Sequence, residues 1–576
     1  MNILPNNPAM ISVVALAVIM NVVSVWLPKK AATAAKILLA AAALTGLFVR
    51  FPVGQAILLT AIGAHAYAAF SELIDRNKRE MRMALRQKLQ EVRAVEIVQR
   101  KDTRRLAADV ALTGLVSLGA VLFFGLAPET YAALKVFIVF MMISVSIQTI
   151  ERAANFYSAR LYWLPEEEHL VALSRFQPRD FPLRELKEAS VWSSPDLLRL
   201  HPLFTFMSSH QDYTRSFGQV LKLSFPGETI YLSPDNAVHW HRLLAPFASA
   251  SDGTGGKEKK VLPLWHPAVL KRLFWKGYYA STVKGVSAYT GLLAILLWLK
   301  APAWAVGLFV LLWWVLNFYV SDRVLIAATD AEPITEGEIF ERAQTIFRKA
   351  GIPHTRLFSV DSPDYNGFAT GMNIGRGAIM LTTATLQLPS PSVEAILAHE
   401  AAHIRKRDVL TNQLARFLFI GLLAGMAYLF FDELKWLAEN FKIAMFLLIY
   451  VFMLVFPMYL SFIAQWTEVR ADFTGAAWLS GGTMQMAQGL TDLAAAQDRD
   501  LEKSMAHRMA DGRSSKSRAS SASSLERDSW LWRFLEFQFM AHPPLYWRIG
   551  SLARNGNWRE ARKRWLKDRF KESLPG

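Results

Sequence analysis

Long apolar runs alternate with charged connections along the whole chain. Nine of these runs are candidates to cross a bilayer: residues 10–27, 34–49, 53–72, 106–126, 130–149, 284–299, 302–320, 413–431 and 443–464. The second and sixth are short, while the others approach or exceed the ~18–20 apolar residues needed to span the hydrocarbon. The last run, IAMFLLIYVFMLVFPMYLSFIA, has no polar face, which speaks against a helix of a soluble protein.

Other periods appear between the runs. The connection 75–105 has helical spacing and predicts a solvated helical hairpin or stalk. In the insertion 151–283, FGQVLKLSF and TIYLS alternate around Pro226-Gly227-Glu228, which predicts a β-hairpin. Ser233-Pro234-Asp235 then caps a predicted helix over AVHWHRLLAPFA, and 248–260 is a flexible linker. Further on, GEIFERAQTIFRKAG predicts an amphipathic helix ended by Gly351. HTRLFSVDS and GAIMLTTATL predict strands, and Ser392 opens the next helix with Glu394 in its first turn. The stretch 511–529 is low in complexity and reads as a disordered, passive loop.

Charge sets the orientation. Of 576 residues 52% are hydrophobic and 19% charged, with a net charge of +16. Lys29-Lys30 and the densely basic 75–105 connection belong on the cytoplasmic side, which also places 150–283, residues 399–403 and the C-terminus there. This charge reads as attraction to anionic lipid, and no motif for nucleic acid accompanies it. The first run lacks a basic n-region and a small-residue cleavage site, so it reads as a retained anchor. There is no cysteine, so disulfides and thiolate metal sites are excluded, and a bound metal must use His, Asp or Glu.

The chemistry lies in EAILAHEAAHIRKRD, an uninterrupted helical pattern. His399 and His403 stand one turn apart on one face, the spacing of two ligands of one tetrahedral zinc. Glu400 beside them suits a general base acting on the water that such a metal activates. His239 and His241, two apart on a predicted helix, point to different faces and read as ordinary histidines. A third protein ligand is needed, and QWTEVRADFTGAAWL follows immediately after the last apolar run. Glu468 is well placed there, with Asp472 one turn further along the same face to orient a histidine ring through its other nitrogen.

Four segments in order, NGFATG at 366–371, HEAAHIRKRD at 399–408, EVRAD at 468–472 and AHPPLYWRI at 541–549, resemble those of the HtpX-like membrane zinc metallopeptidases, relatives of the CAAX prenyl proteases. The resemblance covers residues 330–550; residues 1–283 carry no matching motif. It implies one zinc per chain held by His399, His403 and Glu468, with Glu400 activating water. Asp472 and Asp408 would stand behind the ligands, and His542 and Arg548 would stabilise the oxyanion. Asn366, Gly367, Phe368 and Ala369 would form a substrate-binding edge, with Gly367 standing where the family usually has Ala.

The expected fold is a polytopic α-helical membrane protein of about nine spans carrying an α+β zincin-type catalytic domain, with a small edge sheet and an HExxH helix. Its segments are a membrane module (1–150), a soluble cytoplasmic insertion (151–283), two spans (284–320), the first catalytic half (321–410) and a transmembrane hairpin (411–464). The second catalytic half (465–510), the linker (511–529) and a C-terminal catalytic segment (530–576) follow. The expected activity is zinc-dependent endoproteolysis of membrane proteins at the cytoplasmic face of a bacterial inner membrane, in quality control. The expected partners are peptide or membrane-protein substrates and the lipid bilayer. A CAAX-type prenyl protease and a catalytically silent scaffold with a peptidase fold stand as alternatives.

Overall fold

The computed structural model describes residues 5–73, 76–126, 132–201, 210–248, 262, 265–279, 302–370, 377–508, 523–526, 529–554 and 556–574. The described residues divide into two compact units, one holding those up to Trp313 together with 503–508, the other those of 314–502 and from 523 onward. Among the described residues six helices are long and apolar enough to cross a membrane: Lys30–Arg50, Val53–Ser71, Thr103–Leu126, Ala305–Ala328, Asp408–Leu429 and Leu447–Ala476. The first apolar run lies in the 20-residue helix Asn7–Trp26. The fifth lies in the helix Ala132–Ser158, and the run 284–299 lies outside the described residues.

In the first unit, the connection after the third apolar run is not a free stalk. It forms a helix, Arg76–Glu91, and then the strand β1 (Val95–Glu96). Met81 and Leu85 of that helix are buried against Leu164 and Val171, so apolar burial draws it onto the following module. β1 pairs antiparallel with β2 (Arg160–Leu164), followed by β3 (His169–Leu173) and β4 (Arg179–Pro182), giving the order β1-β2-β3-β4. A second sheet of β5 (Glu188–Trp192), β6 (His210–Asp212), β7 (Val220–Phe225) and β8 (Glu228–Leu232) runs β5-β7-β8-β6. The expected hairpin is β7–β8, turned by Gly227 at φ +67. Phe181, Phe225 and Ile230 fill the core between these elements. The following helix, Ala237–Leu244, is capped by Asn236, whose Oδ1 accepts from the His239 amide at 2.9 Å, and not by Ser233–Asp235. His241 bonds the Ala189 carbonyl, and neither it nor His239 joins a metal-type cluster among the described residues.

Four buried charges tie this module to the ends of the helices Thr103–Leu126 and Ala132–Ser158. Arg105 pairs with Asp109 and, at 2.8 Å, with Asp212 of β6. Arg152 reaches Asp109 at 3.0 Å and Asp212 at 3.1 Å.

In the second unit, a sheet of β9 (Glu332–Pro333), β10 (Arg356–Val360), β11 (Gly367–Thr370) and β12 (Ala378–Thr382) has the order β11-β12-β10-β9. β10 and β12 are parallel, and β11 is an antiparallel edge strand. The predicted helix Glu338–Lys349 packs Ala343, Ile346 and Phe347 into the core, and Gly351 at φ +71 follows it. The HExxH helix runs Ser390–Lys406 and so begins two residues before Ser392. Pro391 sits in its first turn, where the missing N–H would have no partner anyway. Ser392 is buried and donates to Asp492. This helix is buried along most of its length, with Ala395, Ala398, Ala401 and Ala402 keeping its flank thin. Across it lies a 35-residue helix, Lys442–Ala476, which carries the last apolar run and the EVRAD segment without a break.

Candidate metal centre

The two crossing helices build the site. His399 and His403 come from one and Glu468 from the other, and their ligand atoms all lie within 4.8 Å of one another. His403 Nε2 stands 3.1 Å from His399 Nε2 and 3.2 Å from Glu468 Oε1, while His399 Nε2 is 3.4 Å from Glu468 Oε2. Close approach of the helices makes this possible: a Cβ on Gly475 would meet the Ala398 carbonyl at 2.8 Å.

Each imidazole is held from behind. His399 Nδ1 lies 2.9 Å from Asp472 Oδ1, and His403 Nδ1 is 2.8 Å from Asp408 Oδ2. These contacts direct both Nε2 atoms into the shared space, the arrangement that orients metal-binding histidines. Asp408 is reachable because Arg407 adopts a left-handed conformation, φ +55, which turns the chain from the HExxH helix into the next apolar helix. Arg470 pairs with the other oxygen of Asp408. Burial disfavours the charged form of both imidazoles. Asp472 and Glu468 outweigh it at His399, and Glu468 and Asp408 at His403, so both pKa values rise, that of His403 well above the ordinary value.

His542 reaches the site from the HPP loop, with Nδ1 2.8 Å from Glu468 Oε2, although its side chain is 65% exposed. Arg548 is placed differently. It is buried and donates Nε and Nη2 to Asp472 at 2.9 and 2.6 Å, leaving Nη1 3.4 Å from Glu468 Oε2. Burial works against the cation there, but Asp472 outweighs it and raises its pKa. Arg548 is thus a brace for the two carboxylates. Glu400 is buried beside the cluster, and a Cβ on Gly367 would lie 3.7 Å from its Cγ. β11 therefore runs next to the base. Gly367 and Ala369 face the HExxH helix, whereas Phe368 packs on the opposite face with Phe358, Val360 and Met380. Asn366 precedes the strand, its amide donating to Thr385 Oγ1 at 2.8 Å. Gly371 of the NGFATG segment lies outside the described residues.

Two imidazoles and a carboxylate suit a tetrahedral zinc with one open position. With their Nδ1 atoms facing Asp472 and Asp408, the two imidazoles turn Nε2 acceptors toward each other at 3.1 Å beside the Glu468 carboxylate, a cluster of acceptors that a cation would satisfy. The donor set fits zinc.

Residues 333–555 match the model of peptidase family M48. Over this segment the chain is similar to the M48 peptidases. Around it, a "Protease HtpX homolog" of Pelotomaculum thermopropionicum is 39% identical over 103 residues, 17% of this chain and 37% of that protein. One of Acaryochloris marina is 31% identical over 185 residues, 31% of this chain and 63% of that protein. The chain thus spans less than two thirds of these relatives. A solved structure, the crystal structure of S. mikatae Ste24p, aligns with 49% of this chain and 65% of its own at 16% identity and a TM-score of 0.32. Outside that segment, residues 160–248 match a bacterial PH domain model, a resemblance that the residue pattern of the insertion had not suggested. Three residues around this centre escaped sequence reasoning: Arg470, Gln465 and Gly475. Only Arg470 left a trace, as an unpaired-looking cation between Glu468 and Asp472.

Proposed function

We propose that this chain is a membrane-embedded zinc metalloendopeptidase. It hydrolyses peptide bonds of membrane proteins at the cytoplasmic face of a bacterial inner membrane, in the removal of damaged or misassembled proteins. The observation that carries the reading is the convergence of His399, His403 and Glu468 from two crossing helices, with Glu400 beside them. His399, His403 and Glu468 would hold the ion, which when bound supplies a Lewis acid that polarises the scissile carbonyl and acidifies water.

The remaining steps belong to side chains. Glu400 takes the proton of the attacking water on its carboxylate and returns it to the leaving amine nitrogen. His542, exposed at the mouth of the site, donates toward the carbonyl oxygen as negative charge develops there. Arg548 positions Asp472 and Glu468 and so keeps His399 aimed. The edge of β11, unpaired among the described residues, gives an extended peptide main-chain partners beside Glu400, which supports tolerance of many sequences. Glu468 continues directly from an apolar run, and His403 lies five residues before the helix Asp408–Leu429. At ~1.5 Å per residue this supports a centre within roughly 15 Å of the bilayer, where substrates are membrane proteins.

The test uses purified protein in detergent, wild type beside Glu400→Gln, assayed for bound zinc and for cleavage of an unfolded membrane protein. Equal zinc with cleavage by wild type alone is expected. Zinc without cleavage by wild type, prenylated peptides included, overturns the reading in favour of a scaffold; cleavage of prenylated peptides alone favours a prenyl protease.

A further inference from the structure

His542 presents a problem of placement. Its side chain is 65% exposed yet stands 2.8 Å from Glu468 Oε2, so little packing of its own holds it there. Its position must come from the backbone of the loop between the helices Trp530–Phe539 and Leu545–Ala553. On the downstream side that loop is tied by Arg548 to Asp472. On the upstream side it is tied by Gln465, three residues before Glu468 on the long ligand helix. Gln465 is fully buried. Its Nε2 donates to the carbonyls of Glu536 at 2.8 Å and Met540 at 2.9 Å, and lies 3.4 Å from that of His542. Ser461 Oγ adds a second donor to Met540 at 2.7 Å.

The other end of the Gln465 amide faces the C-terminal helix Trp558–Lys571. Trp565 Nε1 and Arg569 Nη1 donate to Oε1 at 3.2 and 2.8 Å. With two donors on one end and carbonyls on the other, the amide has a single satisfactory orientation. Arg569 is buried, and among the described residues no carboxylate pairs with it; burial pulls its pKa down to about 10, so it remains a cation at neutral pH. A glutamate at 465 would serve Arg569 better. A glutamine serves only if its other end must donate, and what it donates to is the loop bearing His542.

We infer that Gln465 is a positioning residue that couples the C-terminal helix to His542 by holding the Met540 carbonyl. This rests on the peptidase reading for its catalytic consequence, but the anchoring can be measured without turnover. The test is Gln465→Glu in the full-length, zinc-loaded protein, which keeps size and improves the partner of Arg569 while removing both loop donors. Ser461→Ala removes the second donor with minimal change and is read beside it.

Hydrogen exchange of residues 540–549 is expected to speed up at least about tenfold in Gln465→Glu and less in Ser461→Ala, with zinc content unchanged. The kcat for an unfolded membrane protein should fall about tenfold or more, with KM little changed, as for loss of a transition-state donor. In a His542→Ala background, Gln465→Glu should change kcat less than about twofold, since the residues act as one unit. Unchanged exchange at 540–549 overturns the proposal, as do losses that add in the double variant. If wild type cuts nothing, the peptidase reading fails while the exchange result still decides the anchoring.

Discussion

Replacing Gly475 with alanine tests whether helix approach sets the metal geometry. The new Cβ would stand 2.8 Å from the carbonyl carbon and oxygen of Ala398 and 2.9 Å from Met486 Cε. Ala398 adjoins His399, and Gly475 lies on the helix of Glu468, so relief of the clash moves ligands apart. Reaching ordinary contact at 3.4 Å requires a parting of about 0.6 Å. Metal sites tolerate ligand displacements of only ~0.2 Å, so the parting exceeds the tolerance about threefold. Overpacking costs about 1–3 kcal/mol, offset by up to ~1 kcal/mol from removing a helical glycine. The zinc-free protein should therefore lose only about 0–3 kcal/mol, while zinc affinity falls about 10–100-fold, as for other disturbances of ligand orientation. Competition against a chromophoric chelator measures the affinity, and thermal unfolding of the zinc-free protein measures the stability. Gly550→Ala, where a Cβ meets nothing within 4 Å, is the control and should be neutral or stabilising. Zinc affinity within about twofold of wild type, alongside a lowered Tm, would refute the argument, because the methyl would then be absorbed away from the ligands.

Three further outcomes are expected. The raised pKa values of His399 and His403 give zinc-free protein a stabilising contribution that is full below about pH 6.5 and lost as pH rises through the folded-state values. Zinc needs both imidazoles neutral, so loaded protein shows the opposite trend; Tm against pH from 5 to 9, with and without zinc, should diverge. Asp408→Asn removes the acceptor behind His403 and the partner of Arg470, and should weaken zinc binding about 10–100-fold in the chelator assay. Asp109→Asn leaves Arg105 and Arg152 facing Asp212 alone, and should destabilise the first unit by about 3–5 kcal/mol, read as early protease cleavage within 160–248 on heating.

What was legible beforehand is local. The apolar runs, the amphipathic helix at 338–349, the β7–β8 turn at Gly227 and the face shared by His399 and His403 all arise from contacts within a few residues. Such contacts follow from periods of 3.6 and 2 and from one positive φ. The helix starts were less legible, since Ser392 and Asp235 offer capping side chains but Pro389 and Asn236 hold the positions. Chain order also indicated where Glu468 should fall, because an antiparallel pair of apolar helices returns the chain to the side it left.

The sequence by itself therefore determined the chemistry of the centre: which side chains are present, and which two share a helix face. The tertiary structure decided how they meet. It set the crossing at Gly475 against Ala398, the turning of Phe368 away from Glu400, and the use of Arg548 as a brace. It also set the hold of Gln465 on the His542 loop and the capture of residues 76–96 by the neighbouring sheet. Each of these depends on which distant surfaces exclude water from one another. A residue's spacing along the chain fixes its neighbours within one or two turns, whereas burial between elements fixes its partners across the fold.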